Sequence, residues 1–130
     1  MNMILQAIFN HGHKQKLDTA IIVDGVEHTY RDLYDDVVER VQGIENDNCI
    51  TSIINGKRHI IFIDTESVYE QLILWLAALH RGYIPIVSHP HMDNTYRSRL
   101  MGLLGSIDIP IEAQFGVLTS GTTGMPQPLW

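Results

Sequence analysis

The chain has 130 residues, of which 45% are hydrophobic, and a formal charge of −6 at pH 7. This length and composition fit one globular domain with its own hydrophobic core. The carboxylates are scattered along the chain and no cluster of Lys and Arg accompanies them. That pattern disfavours nucleic acid or an anionic membrane as the main partner.

The cysteine count and the hydropathy pattern indicate the compartment. Cys49 is the single cysteine, so no internal disulfide can form, and a reducing environment is favoured. The first nine residues lack the basic start and long apolar centre of a signal peptide. The longest apolar run, Leu72–Leu79, is too short to span a bilayer. We therefore expect a cytoplasmic protein without a membrane span.

The first clear elements are a hairpin and a helix. Two runs that contain apolar residues, Ala20–Val23 and Val26–Thr29, flank Asp24-Gly25. This dipeptide favours a hairpin turn because both residues tolerate positive φ. An amphipathic helix is predicted over 30–42. Thr29 begins a capping-box pattern at its start, with Asp in the third helical position.

The middle of the chain has the pattern of a βαβ unit. Strands are predicted over Ile50–Ile54 and His59–Ile63, and the second lacks polar alternation, which suits a strand covered on both faces. A helix follows, opened by the capping-box pattern Ser67–Glu70 and ended at Gly82. The next strand, Tyr83–Val87, contains a proline that places it at a sheet edge or marks its beginning. The apolar spacing of the helix predicts its buried stripe: Val68, Leu72, Trp75, Leu76 and Leu79.

Two further helices are predicted, and a histidine pair lies next to each. Apolar spacing predicts a helix over 3–10, followed by His11-Gly-His13, and another over Tyr96–Leu104, capped at 93–94 and preceded by His89-Pro-His91. The histidine pairs are the candidate metal ligands. No third ligand of clear spacing accompanies either pair, so we predict solvated loops and no metal site.

The stretch with the clearest chemistry is Phe115–Gln127, a short apolar strand that runs into a turn rich in glycine and hydroxyl groups. Gly121 and Gly124 let the backbone bend and approach a ligand closely. Successive N–H groups in such a turn converge on an anion. Four hydroxyls add donors and acceptors: Thr119, Ser120, Thr122 and Thr123. The pattern predicts a phosphate-binding loop.

A Walker-type phosphate loop does not explain this stretch. Gly116 and Gly121 have the required spacing, but Thr122 occupies the position of the Lys that reaches the phosphates. The prolines that follow disfavour the long helix that a Walker loop opens.

The stretch Thr119–Gly124, followed by Pro126, resembles the phosphate-binding signature of the AMP-forming adenylate-forming enzymes, which include acyl-CoA synthetases and peptide-synthetase adenylation domains. Two other features are similar to the family: a hairpin before Thr29-Tyr-x-x-Leu33, and the glycine and proline at Gly82 and Pro85. Gln127 departs from the family pattern T-G-x-P-K, in which this position is Lys. The short segment before the loop is most similar to short bacterial fatty-acid–CoA ligases.

The resemblance covers nearly the whole chain but only the first part of the family's fold. It implies an α/β fold: the N-terminal portion of the large AMP-binding domain over residues 1–130, with βαβ units, a partly parallel sheet and no C-terminal lid domain. It implies ATP, Mg²⁺ and CoA for the full-length enzyme, which activates a carboxylic or fatty acid as the acyl-adenylate. The cofactor-binding residues would be those of the phosphate loop: Thr119, Ser120, Gly121, Thr122, Thr123 and Gly124.

Several interpretations stay open. The resemblance supplies no counterpart for the family's adenine, ribose and lid residues, so we assign no catalytic residue and expect the isolated chain to lack ligase activity. The chain would then be a fragment of an acyl-CoA ligase or of a peptide-synthetase-type adenylation domain. A non-catalytic module that binds nucleotide or protein is the alternative, with self-association through an exposed sheet edge. An independent metal-binding domain built on the histidine pairs is the third.

Overall fold

A computed structural model describes residues 6–8, 10, 17–88, 92–119 and 127–130. The elements follow one another as β1 (Thr19–Val23), β2 (Val26–Thr29), α1 (Tyr30–Gln42), a 3₁₀ turn (Ile44–Asn46), β3 (Ile50–Asn55), β4 (Arg58–Ile63), α2 (Val68–His80), β5 (Ile84–Val87), α3 (Asn94–Leu104), β6 (Val117–Thr119) and β7 (Gln127–Leu129).

The N-terminal hairpin and the start of α1 form as predicted. Strands β1 and β2 are antiparallel, and both turn residues, Asp24 at φ 51° and Gly25 at φ 78°, have positive φ. The capping box at α1 is complete. The Asp32 amide donates to Thr29 Oγ1 at 3.1 Å, and the Thr29 amide donates to Asp32 Oδ2 at 3.0 Å.

The central sheet has the order β3-β4-β5 and mixes both strand directions. Strands β3 and β4 are an antiparallel hairpin in which Asn55 pairs with Arg58, and Gly56 at φ +60° takes the first turn position. Strands β4 and β5 are parallel, with Ile60 opposite Ile84. Because α2 connects these two strands, the predicted βαβ unit and the partly parallel sheet are confirmed.

Strand β4 is the centre of the core, and helices cover it on both faces. The side chains of Ile60–Ile63 are fully buried, and alternate residues point to opposite faces. Even-numbered residues pack with α3, in a cluster formed by Ile53, Ile60, Phe62, Ile84, Ile86, Leu100 and Leu104. Odd-numbered residues pack with α2, in a cluster formed by Ile44, Ile61, Ile63, Leu74, Ala77 and Ala78. This two-sided burial explains the missing polar alternation.

Helix α2 is buried on two sides, and the predicted single stripe is therefore wrong in part. Ile73 and Leu76 pack against Leu33 and Val37 of α1, while the cluster with the sheet takes Leu74, Ala77 and Ala78. Val68, predicted to be buried, is 55% exposed. The helix lies between another helix and a sheet, so its apolar surface is wider than a one-sided amphipathic pattern suggests.

The second predicted capping box is only half formed. Ser67 Oγ accepts from the Glu70 amide at 3.2 Å. The Glu70 carboxylate accepts two hydrogen bonds from Arg40 of α1, at 2.9 and 3.1 Å, and does not return to the Ser67 amide. That amide donates to Thr65 Oγ1 at 3.3 Å. A contact between helices thus replaces a local one.

Asp36 of α1 accepts a hydrogen bond of 2.5 Å from the Tyr69 hydroxyl of α2. Its neighbour Asp35 pairs with Arg31 on the exposed face of α1. The two adjacent carboxylates therefore point to different sides of α1: Asp35 faces solvent and Asp36 faces α2.

Candidate phosphate-binding hairpin

The predicted phosphate loop is bounded by two short antiparallel strands. In the register of β6 and β7, Val117 lies opposite Leu129 and Thr119 lies opposite Gln127. The Thr119 hydroxyl donates to the Gln127 carbonyl at 3.0 Å. The two ends of the loop are therefore joined by a backbone pairing and by a side-chain hydrogen bond.

The structure places one of the six predicted cofactor-binding residues. Thr119 is the last residue of β6 and is exposed. The other five lie outside the described residues, and their role in binding stays a prediction: Ser120, Gly121, Thr122, Thr123 and Gly124. Gln127, which stands where the resembled family has Lys, lies directly across from Thr119 at the base of the loop. A neutral amide therefore occupies the position beside the loop at which a cation was expected.

Strand β6 is attached to the central sheet through the residue that precedes it. The Gly116 amide donates to the Pro85 carbonyl of β5 at 3.1 Å. Leu118 and Trp130 pack on the core cluster that includes Ile86. The absence of a side chain at Gly116 lets the Trp130 ring lie directly on the backbone, since a Cβ there would be 2.8 Å from two ring carbons. The sequence analysis predicted the loop but not the role of Trp130, whose large aromatic side chain just after the loop was the available signal.

The segment that leads from α3 to β6 has no regular secondary structure, and two side chains of the β3–β4 turn hold it. Arg58 donates to the carbonyls of Pro110 at 3.0 Å and Ala113 at 2.6 Å. The Asn55 amide donates to the carbonyls of Leu104 and Ile107, each at 2.8 Å. No local sequence pattern indicates these bonds, because the partners of both residues lie about 50 positions away in the chain.

The aromatic ring of Phe115 provides a second attachment for the approach to β6. It lies against the Trp75 ring of α2, with a centroid separation of 5.4 Å. The two tryptophans of the chain thus contact consecutive residues, Phe115 and Gly116. Either indole should therefore report on the strand that enters the loop.

The carboxyl ends of β4 and β5 are the edge at which open α/β sheets usually bind ligands. Asp64 follows β4 and forms an ion pair with Arg97 of α3. The same guanidinium donates to Thr51 Oγ1 at 3.0 Å and lies over the Phe62 ring. These bonds already satisfy both charges, so this pair offers neither a free carboxylate for a metal nor a free cation for a phosphate.

A cleft of about 350 Å³ lies between the end of α2 and the segment before β6. Leu79, Tyr83, Ala113 and Gln114 are among the residues that line it. None of the lining residues belongs to the described strands β6 and β7.

The pKa shifts of the described residues lie away from the hairpin. Hydrogen bonding to Glu70 raises the pKa of Arg40. A hydrogen bond from the Tyr83 hydroxyl lowers the pKa of Glu45, and the same bond raises the pKa of Tyr83. Burial, and then the bond to Asp36, raises the pKa of Tyr69. Each shift has a structural partner, so none of them marks a catalytic acid or base.

The described part of the chain contains neither a cluster of metal ligands nor a helix that could span a membrane. No three His, Cys, Asp or Glu side chains there converge in a way that could hold a metal ion. None of the helices described combines the length and hydrophobicity that a bilayer crossing requires. Both histidine pairs of the metal hypothesis include residues outside the described ones.

Comparison with known proteins gives the fold. No protein-family model matches the sequence, and no curated protein matches it. The chain is similar in fold to part of the N-terminal subdomain of Klebsiella oxytoca NpsA. A structure of that subdomain in space group P21 superposes with a TM-score of 0.64 at 21% identity, over 94% of this chain and 40% of the other.

A second structure of the NpsA subdomain is a complex with 3-hydroxyanthranilyl-AMSN. It gives a TM-score of 0.65 at 21% identity, over 94% of this chain and 38% of that chain. The chain therefore spans about 40% of the length of the NpsA subdomain. The likeness confirms the predicted α/β architecture with its partly parallel sheet.

Proposed function

We propose that this chain is the N-terminal portion of an adenylate-forming domain and that residues 119–124 bind the phosphates of a nucleotide. The observation that carries the proposal is the β6–β7 hairpin, which holds Thr119, the first residue of the signature, at the end of a strand that follows the bond from Gly116 to the sheet. A glycine- and hydroxyl-rich turn in that position offers backbone and side-chain donors to an anion. The similarity in fold to part of the NpsA N-terminal subdomain, which has been solved in complex with 3-hydroxyanthranilyl-AMSN, supports the same assignment.

The chemistry of the whole domain would be carboxylate activation. In such a reaction a carboxylate oxygen attacks the α-phosphorus of ATP, the bond to pyrophosphate breaks, and an acyl-adenylate forms. Mg²⁺ would neutralise phosphate charge during that step. A transfer of the acyl group to CoA, as in a fatty-acid–CoA ligase, and a peptide-synthetase-type transfer are both compatible with this proposal. The aromatic acyl group of the NpsA complex makes aryl acids the first substrates to test.

The residues present fit a phosphate better than they fit a metal. Thr119 keeps its oxygen lone pairs at the exposed end of β6 while its proton goes to Gln127. The described residues provide no carboxylate cluster for Mg²⁺. We therefore propose that the isolated chain binds nucleotide weakly and does not form an acyl-adenylate by itself.

The test is nucleotide binding by the chain, measured by isothermal titration calorimetry and thermal shift with ATP and with AMP. We expect binding that the double variant Thr122→Ala/Thr123→Ala reduces about tenfold, because two hydroxyl donors to phosphate are lost. Thr95→Ala, at an exposed threonine of α3, is the matched control and should bind like the wild type. A wild-type chain that binds neither nucleotide, or a double variant that binds as tightly as the control, contradicts the proposal.

A further inference from the structure

Strand β3 lies at one edge of the central sheet, and its hydrogen-bonding pattern leaves backbone groups without a strand partner. The Asp64 amide donates to the Cys49 carbonyl at 2.7 Å, and Asn55 pairs with Arg58 at the two-residue turn. In an antiparallel pair, every second residue directs its backbone groups to the neighbouring strand. Odd-numbered residues of β3 therefore bond to β4, and the even-numbered ones direct their amides and carbonyls outwards.

Two residues form this outer edge, Ser52 and Ile54. The third even-numbered residue, Ile50, already uses its amide in a 3.1 Å bond to the Asp47 carbonyl. Ser52 is exposed, and Ile54 is 62% exposed although it is a large apolar side chain. Among the described residues, no strand pairs with this side of β3.

The sequence of β3 contains none of the features that usually protect an edge strand. Natural edges are blunted with proline, lysine or a bulge, whereas Ile50–Asn55 reads Ile-Thr-Ser-Ile-Ile-Asn and its pairing to β4 is regular. The opposite edge is different. Strand β5 contains Pro85, which has no amide hydrogen, and the Pro85 carbonyl accepts the bond from Gly116.

We propose that β3 pairs with β3 of a second copy of this chain, antiparallel, to form a continuous six-stranded sheet. Ser52 of one copy lies opposite Ile54 of the other, and the two-fold axis passes through the facing Ile53 residues. This register joins the free amides and carbonyls of Ser52 and Ile54 in both copies. It also buries the exposed Ile54 side chains at the junction.

The charge distribution favours a second copy in this register. The chain carries a formal charge of −6, so most approaches of two copies are repulsive, but β3 has no charged residue. Asp47, which precedes β3, is already paired with Arg40 of its own copy, so the pairing strands bring no unpaired like charges together. The surface is small, and the dimer is therefore a weak one, favoured by high concentration and by salt that screens the net charge.

The test compares two equally exposed isoleucines. In sedimentation equilibrium on the full chain, from about 10 μM to about 1 mM, the wild type should approach the dimer mass. Ile54→Lys should stay monomeric or dissociate at least about tenfold more readily, because a lysine on the edge opposes pairing. Ile22→Lys changes a side chain that is 59% exposed on β1 and should dimerise like the wild type. Far-ultraviolet circular dichroism checks that each variant is folded.

Hydrogen exchange provides a second measurement. The amides of Ser52 and Ile54 should exchange more slowly as the wild-type concentration rises, and the Ile54→Lys variant should lose that concentration dependence. A wild type that is monomeric throughout overturns the proposal. A dimer that Ile54→Lys leaves intact, a dimer that Ile22→Lys also disrupts, or open-ended association in place of a closed dimer overturns it as well. None of these outcomes depends on nucleotide binding.

Discussion

The indole ring of Trp130 lies directly on the backbone of Gly116. A Cβ placed at Gly116 would be 2.8 Å from the Cε3 and Cζ3 atoms of the ring, and 3.2 Å from Cγ1 of Ile86. This contact joins the last residue of the sequence to the residue before β6. It fixes β7 beside β6 and thereby defines the base of the predicted phosphate loop.

Gly116→Ala should displace the Trp130 ring and lower the free energy of unfolding by about 1–3 kcal/mol, as overpacking does. Urea unfolding followed by tryptophan fluorescence measures the change, and the emission of Trp130 should shift to longer wavelength as the ring becomes exposed. Gly102→Ala is the matched control, because Gly102 is inside α3 and its Cβ would meet nothing within 4 Å. That variant should gain about 0.5–1 kcal/mol from helix propensity. Equal effects of the two substitutions would contradict the contact.

Arg40 and Glu70 form the half-buried ion pair that connects α1 and α2, with side-chain exposures of 27% and 31%. Glu70→Gln should lower the free energy of unfolding by about 1 kcal/mol, because Arg40 would keep its contacts with Glu39 and Asp47 but lose its closest charged partner. Asp35→Asn, which removes an ion pair whose side chains are 54% exposed, should cost only about 0.3 kcal/mol. Denaturant unfolding at low and at high salt measures the effect of each substitution. High salt should abolish only the effect of Asp35→Asn, because that ion pair is the more exposed one.

Glu45 accepts hydrogen bonds from the Tyr83 hydroxyl at 2.6 Å and from Arg81 at 2.8 Å. The Tyr83 bond lowers the pKa of Glu45 in the folded state. The contribution of this hydrogen bond to stability is therefore complete above the pKa of about 4.3 that a Glu has in the unfolded chain. It is lost as the pH falls through the lower pKa that Glu45 has in the folded state.

Tyr83→Phe should consequently be less stable than the wild type at neutral pH, and the difference should shrink as the pH falls below about 4. Urea unfolding across this range measures the difference, and a carbon-13 titration of the Glu45 carboxyl should show a higher pKa in the variant. A stability difference that is independent of pH would assign the effect of Tyr83 to packing.

Tyr69 stacks on the His28 ring, with centroids 3.8 Å apart, and donates its hydroxyl to Asp36. Burial and this bond raise the pKa of Tyr69, so its contribution is complete below the unfolded pKa of about 10 and is lost as the pH rises through the folded value. Tyr69→Phe keeps the stacking and should lower the free energy of unfolding at pH 7 by about 1 kcal/mol.

The same variant should lose less stability than the wild type above about pH 10, since it has no phenol to ionise. Unfolding at neutral and alkaline pH measures this difference. Tyr96→Phe is the control, and it should leave the free energy of unfolding unchanged at both neutral and alkaline pH. A Tyr69→Phe variant with the alkaline sensitivity of the wild type would contradict the raised pKa.

The local signals of the sequence predicted most of the elements. The Asp24-Gly25 turn, the Thr29 cap and the unbroken apolar run of Ile60–Ile63 each depend on neighbours in the chain, and all three formed as expected. The second capping box formed only in part: the Glu70 carboxylate binds Arg40 of another helix and not the Ser67 amide. A sequence pattern cannot rank a local bond against a distant one that only the packed helices create.

The same difference between local signals and distant contacts holds for the candidate site. The spacing of glycines and hydroxyls after residue 118 was enough to predict a phosphate loop, because that chemistry depends on consecutive backbone groups. The neutral pairing of Thr119 with Gln127, the Trp130 contact with Gly116 and the outward edge of β3 depend on how strands align.

The sequence by itself therefore determined most of the element types and their order, since these follow from periodicity and from adjacent residues, and it supplied the prediction that the loop binds an anion. Only the tertiary structure decided that β3 is the other edge of the central sheet, which charged residues are paired and what closes the base of the loop. Those outcomes depend on contacts between residues far apart in the chain, and the geometry of the packed sheet and helices selects among the many pairings that the composition allows.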